Sequence, residues 1–288
     1  MSEVIVGFDG SEPAQQAVLW AADEARRRAA VLHVVQSWKE PVLAGPTGLD
    51  LWTDPGALVR EVSDGFEAQV AALLVGHADV EVRTSLIDQP PARGLMDLGA
   101  EAELIVVGAR GNGGFAGRGL GSVSNRVARR AATPVVVVRQ DAATRTDGPV
   151  LVAVDGSECS RHALRWGVES AGQRSVGVRA LMAWNYLEPQ GVHGPGEFQP
   201  DYDAAEAERV LAQIVAEVLG DQPPVPVEAI TVCDLPARAV LERSGDASLI
   251  VMGRHGASRW SPMELGTTSQ QVLHHATTPV AVIPGPAH

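Results

Sequence analysis

The sequence predicts an α/β protein built from two tandem doubly wound domains, and three observations carry that reading. First, the 288-residue chain repeats itself. Val4-Ile5-Val6-Gly7-Phe8-Asp9-Gly10-Ser11-Glu12 returns 146 positions later as Val150-Leu151-Val152-Ala153-Val154-Asp155-Gly156-Ser157-Glu158, and Trp20 and Trp38 return as Trp166 and Trp184. Pro91-Ala92-Arg93 returns as Pro236-Ala237-Arg238, and Thr133-Pro134-Val135 as Thr278-Pro279-Val280, now 145 positions later. A period this long makes each copy a domain, not a solenoid unit. Second, short β-branched runs alternate with helical patterns in each half, so the strands should form a parallel sheet covered on both faces. Third, a glycine-spaced loop follows the fourth strand of each half.

In the first half the pattern predicts strands at 4–8, 31–36, 80–86, 104–107 and 135–139, with helices near 12–30, 57–76, 92–101 and 123–131. Ser11 can cap the first helix, and Pro13 suits its first turn. The second half predicts strands at 151–154, 176–182, 227–231, 249–252 and 280–283. The seam is polar and ends in Gly148-Pro149, which gives domains at 1–140 and 149–288 and a linker at 141–148. Segments 39–56 and 187–201 are rich in Pro and Gly. They read either as flaps over a site or as surface insertions.

Composition narrows the function. Apolar residues at 45% and charged residues at 20% suit a globular core. The balance of 35 acids to 23 Lys and Arg argues against a nucleic-acid partner or an anionic membrane held by bulk charge. The single lysine, Lys39, follows Trp38, so no Walker P-loop is present. The N-terminus runs into a strand without a basic leader, and the apolar runs are too short for a membrane span. A cytoplasmic protein without membrane insertion is expected. Cys159 and Cys233 are too few for a disulfide scaffold or thiolate metal site. His274 and His275 are adjacent, point about 100° apart on a helix and read as a polar face.

The glycine loop carries the chemistry. Gly108-Ala109-Arg110-Gly111 is followed after nine residues by Gly121-Ser122-Val123, and Gly253-Arg254-His255-Gly256 after nine by Gly266-Thr267-Thr268. Glycines at a strand's carboxyl end permit positive φ and close backbone approach to a ligand. The Ser or Thr stands where the next helix begins, so its hydroxyl and the first helical N–H groups can face an anion. Arg110, Arg118, Arg254 and Arg259 lie near enough in sequence to help. Asp9 and Asp155 sit just past the first strand of each half, where open α/β sheets bind ligands. Each can accept from a base or ribose, or close an Asx turn.

Through these motifs the sequence resembles the universal stress protein family, specifically the tandem, two-repeat, ATP-binding members found in actinobacteria and mycobacteria. The resemblance covers both halves almost end to end. It implies a five-stranded parallel sheet of order 3-2-1-4-5 in each half, an adenine nucleotide alpha hydrolase-like (Rossmann-like) fold. It further implies ATP, with Mg²⁺ held by the phosphates. Carried over residue by residue, the first site would be Asp9 at the adenine, Val34 packing it, and Gly108, Gly111, Gly121, Ser122 and Val123 at phosphate and ribose. The second would be Asp155, Ala180, Gly253, Gly256, Gly266, Thr267 and Thr268, where Thr268 departs from the hydrophobic Val123. By the same resemblance the protein is a nucleotide-dependent regulator in stress adaptation, including growth slowing or dormancy. It would act on an unidentified protein partner, and the chain's apolar content, six tryptophans included, points to a homodimer. The alternative is a weak ATPase or nucleotidyl-transfer enzyme, for which no duplicated general base can be named.

Overall fold

The computed structural model describes residues 2–39, 55–111, 119–139, 147–184, 200–256 and 265–286. The first half contains β1 (Glu3–Gly7), α1 (Glu12–Arg28), β2 (Val31–Ser37), α2 (Pro55–Leu73), β3 (Val82–Ile87), α3 (Pro91–Gly99), β4 (Leu104–Gly108), α4 (Ser122–Arg130) and β5 (Val135–Val138). The second repeats the order with β6 (Val150–Ala153), α5 (Glu158–Arg174), β7 (Val178–Trp184), α6 (Pro200–Leu219), β8 (Val227–Cys233), α7 (Pro236–Arg243), β9 (Leu249–Gly253), α8 (Thr267–His275) and β10 (Val280–Ile283). Within each half all strands are parallel, in the expected order 3-2-1-4-5. Central strands such as Val4-Ile5-Val6 are wholly buried, as sheets covered on both faces require.

Local chemistry sets the helix ends. The Ser11 hydroxyl accepts from Ala14 N at 3.3 Å and Ser157 from Ser160 N at 3.2 Å, so both first helices start on a side-chain cap. Both end on a left-handed residue that is not glycine, Ala29 (φ 49) and Ser175 (φ 57). The third strand starts later than its β-branched run suggests, because Val80 N is spent on His77 O in the turn after α2. Of the two Pro- and Gly-rich segments, 39–56 and 187–201, residues 40–54 and 187–199 lie outside the described residues.

The two halves share one sheet. β5 and β10 pair antiparallel, Val280 opposite Val137 and Val282 opposite Val135, which gives a continuous sheet of ten strands. Helices α1, α2, α5 and α6 cover one face, and α3, α4, α7 and α8 the other. On the first face one repeated tryptophan pair, Trp20 and Trp166, meets repeated arginines across the joint. Arg28 stacks over Trp166 at 5.3 Å and Arg174 over Trp20 at 5.5 Å. Between them Glu24, fully buried, holds Arg28 at 2.7 Å and Arg174 of the other half at 2.7 Å. Burial raises the Glu24 pKa, and the two guanidinium charges, Arg174 foremost, more than reverse it and leave the carboxyl below its usual range.

On the second face each fourth helix ends against an arginine of the opposite half. Arg254 donates to Ala131 O at 2.7 Å and more weakly to Arg129 O at 3.4 Å, at the end of α4. Arg139 donates to Leu273 O at 2.7 Å and His274 O at 2.6 Å, at the end of α8. Both contacts place a fixed cation on a helix's carbonyl end.

Candidate functional site

Each half opens a cavity beyond the carboxyl ends of its strands, at the point where strand order reverses between the first and fourth strands. The first is about 590 Å³ and the second about 280 Å³. Asp9, Gly108, Gly111, Gly121, Ser122 and Val123 all line the first. Asp155, Gly253, Gly256, Gly266, Thr267 and Thr268 all line the second.

Val34 and Ala180 do not. Both are wholly buried in the layer beneath α1, α2, α5 and α6. The cavity lies on the other face of the sheet, and the residues presented to it are Val35 and Leu181. Successive strand residues point to opposite faces, so an alignment one residue out exchanges a cavity wall for a core position.

The fixed loop spacing has a geometric cause. Gly121 N donates to Ala109 O at 2.8 Å and Gly266 N to Arg254 O at 2.9 Å, so each loop returns to the strand end it left. Ser124 Oγ donates to Ala109 O at 3.0 Å, and Ser269 Oγ to Gly253 O at 2.9 Å. These two serines line the cavities and were missed in the sequence, although their repetition 145 positions apart was a readable signal. Neither α4 nor α8 has a side-chain cap, so the first turn of each opens on the cavity with its backbone donors.

The glycines serve close approach more than left-handed backbone. Positive φ falls on Gly10 (φ 78) and Gly156 (φ 81), in the Asp-Gly-Ser turns, and not on the described glycines of the loops. A Cβ at Gly108 would sit 2.8 Å from the Pro13 carbonyl carbon, and one at Gly253 would sit 2.9 Å from that of Cys159. These glycines therefore admit the start of the first helix of each half. A Cβ at Gly111 would collide with Asp9 Oδ2, and one at Gly256 would lie 2.6 Å from Asp155 Oδ2. The aspartates combine both sequence readings. Asp9 Oδ1 accepts from Ser11 N at 3.1 Å and Asp155 Oδ1 from Ser157 N at 3.0 Å, closing the turns, while each Oδ2 is turned toward the loop glycine.

The cations differ between the halves. Arg110 lines the first cavity and donates Nε to Gly119 O at 2.9 Å. The second cavity is lined by His255 instead, while the guanidinium of neighbouring Arg254 reaches the opposite half. Arg118 and Arg259 lie outside the described residues. His274 is less open than a polar helix face implied. It is half-buried, with Gly119 of the first loop beside it, and burial, His275 and Arg139 hold its pKa below the usual histidine value. Among the described residues no cluster of His, Cys, Asp and Glu could hold a metal, and no helix is long and apolar enough to cross a membrane.

A continuous sheet of two doubly wound halves, each with a closed glycine loop at its switch point, defines a tandem Rossmann-like α/β protein. The Universal stress protein family model matches residues 1–139 and again 148–284. Universal stress protein Rv2005c of Mycobacterium tuberculosis is 34% identical over 291 residues, covering 97% of this chain and 96% of that protein. Universal stress protein Rv2623 of the same species is 34% identical over 288 residues, covering 97% and 95%. The fold is similar to a solved universal stress protein from Archaeoglobus fulgidus DSM 4304, with a TM-score of 0.69 at 19% identity over 98% of both chains. It is similar too to a functionally unknown protein, PA1789, from Pseudomonas aeruginosa PAO1, with a TM-score of 0.61 at 18% identity over 99% and 93%. The chain belongs to the universal stress protein family, as a tandem member.

Proposed function

We propose that the protein is an ATP-binding regulator that takes up to two adenine nucleotides per chain. One observation carries this reading. In both halves an aspartate, a glycine loop closed on its own strand and an uncapped helix start converge on one cavity. Helix donors and loop backbone suit the phosphates, and no lysine is required. The aspartate suits adenine or ribose, with Val35 and Leu181 as apolar walls for the base. Mg²⁺ would accompany the ATP, held by its phosphates.

Occupancy of these sites would control binding to a protein partner in the cytoplasm during stress adaptation, and the working unit would be a homodimer. Native mass spectrometry of the full chain as purified tests the core of this reading. Adenine nucleotide at one or two per chain is the expected result, and a chain that neither carries nor takes up ATP overturns it. Light scattering should return twice the chain mass, and a monomer at micromolar concentration removes the dimer.

A further inference from the structure

We infer that the two sites are graded: the first half binds ATP tightly, and the second binds it weakly because its base end is narrowed. This rests on the nucleotide reading above. The aspartate, loop glycines and uncapped helix are duplicated, so both halves offer the phosphates the same backbone cradle. The differences in apolar bulk gather at the other end. Val35 and Val107 of the first cavity correspond to the longer Leu181 and Met252 of the second.

A further pair of changes cancels. A Cβ at Gly7 would stand 2.9 Å from Leu95 Cδ1, and the second half pairs Ala153 with the shorter Val240 at those positions. Ser37 becomes Ala183, which only removes a hydroxyl. Phe8, which becomes Val154, turns its ring onto Phe66 in the opposite layer, so Leu181 and Met252 stand out as added apolar bulk on the second cavity's walls. The volumes agree, about 590 Å³ against about 280 Å³. Charge points the same way. Arg110 stands in the first lining, whereas His255 replaces it in the second and Arg254 Nη1 is drawn 2.7 Å from Ala131 O. Among the described residues, the first cavity's lining thus holds a permanent cation and the second's a histidine.

Calorimetric titration of the full chain with ATP tests the inference, using Leu181→Val/Met252→Val and the reciprocal Val35→Leu/Val107→Met. The wild type should show two classes of site at least tenfold apart. Leu181→Val/Met252→Val should strengthen the weak class at least fivefold and leave the tight class unchanged. The reciprocal variant should weaken the tight class, with circular dichroism confirming that each variant folds. Two equal tight sites in the wild type, or a tight class that responds to the Leu181 and Met252 changes, would overturn the grading while leaving nucleotide binding intact. No ATP binding in either half would overturn the nucleotide reading itself.

Discussion

Gly111 and Gly256 show how a single absent side chain can be a functional requirement. Their Cβ positions are claimed by the carboxylates of Asp9 and Asp155. Gly111→Ala should push Asp9 out of the cavity and weaken ATP binding by at least tenfold in that half, with little change in secondary structure by circular dichroism. Asp9→Ala should cost about 1.5–3 kcal/mol of binding, the range for a hydrogen bond involving a charged group, as read by calorimetry. Ala29 is a different residue-scale case. It ends α1 in the left-handed region, where an L side chain costs about 1–2 kcal/mol. Ala29→Gly removes that strain but adds backbone freedom to the unfolded chain, worth about 0.5–1 kcal/mol. The net expectation is a midpoint in denaturant that rises slightly, and a fall would show that the Ala29 methyl contributes packing.

The helices that begin at one site end against the other half. α4 starts at Ser122 beside the first cavity and finishes on Arg254, a neighbour of His255 in the second loop. α8 starts at Thr267 and finishes on Arg139, with His274 beside Gly119 of the first loop. Arg139→Ala leaves two carbonyls of α8 without their cation and should destabilise the fold by about 2 kcal/mol in urea unfolding. Glu24 is the corresponding element on the opposite face. Its counterpart 146 positions on is Ser170, so one carboxylate serves arginines of both halves. Because the folded Glu24 pKa is lowered, its contribution is fully present above the unfolded value of about 4.3 and is lost as pH falls through the folded value. Stability measured against pH should therefore decline below about pH 4, with a shallower decline in Glu24→Gln. That variant strands buried Arg174 and should cost about 3–5 kcal/mol at neutral pH.

At the scale of the whole molecule, β5 and β10 turn two domains into one sheet. Val135–Val138 and Val280–Ile283 are almost wholly apolar and buried. An unpaired β5 would present open backbone donors and acceptors beside valine side chains, the kind of edge that recruits another strand. Residues 1–140 expressed alone should therefore dimerise or aggregate in size-exclusion chromatography with light scattering. A stable monomer would show that the edge does not need its partner.

The sequence by itself determined the tandem α/β architecture, the position of both glycine loops and the two aspartates. Each of these is a local pattern written twice, and duplication separates a constraint from chance. It also revealed the repeated tryptophans, though not that Trp20 and Trp166 would each stack on an arginine of the other half. Tertiary structure alone decided which face of each second strand lines the cavity, and so exchanged Val34 and Ala180 for Val35 and Leu181. A fully buried parallel strand reads as apolar on both sides, so its sequence carries no alternation to mark the face. The reciprocal arginines were hidden for a related reason. Arg254 and Arg139 occupy non-equivalent positions in the repeat, and only the joining of β5 to β10 brings each beside the other half's helix end.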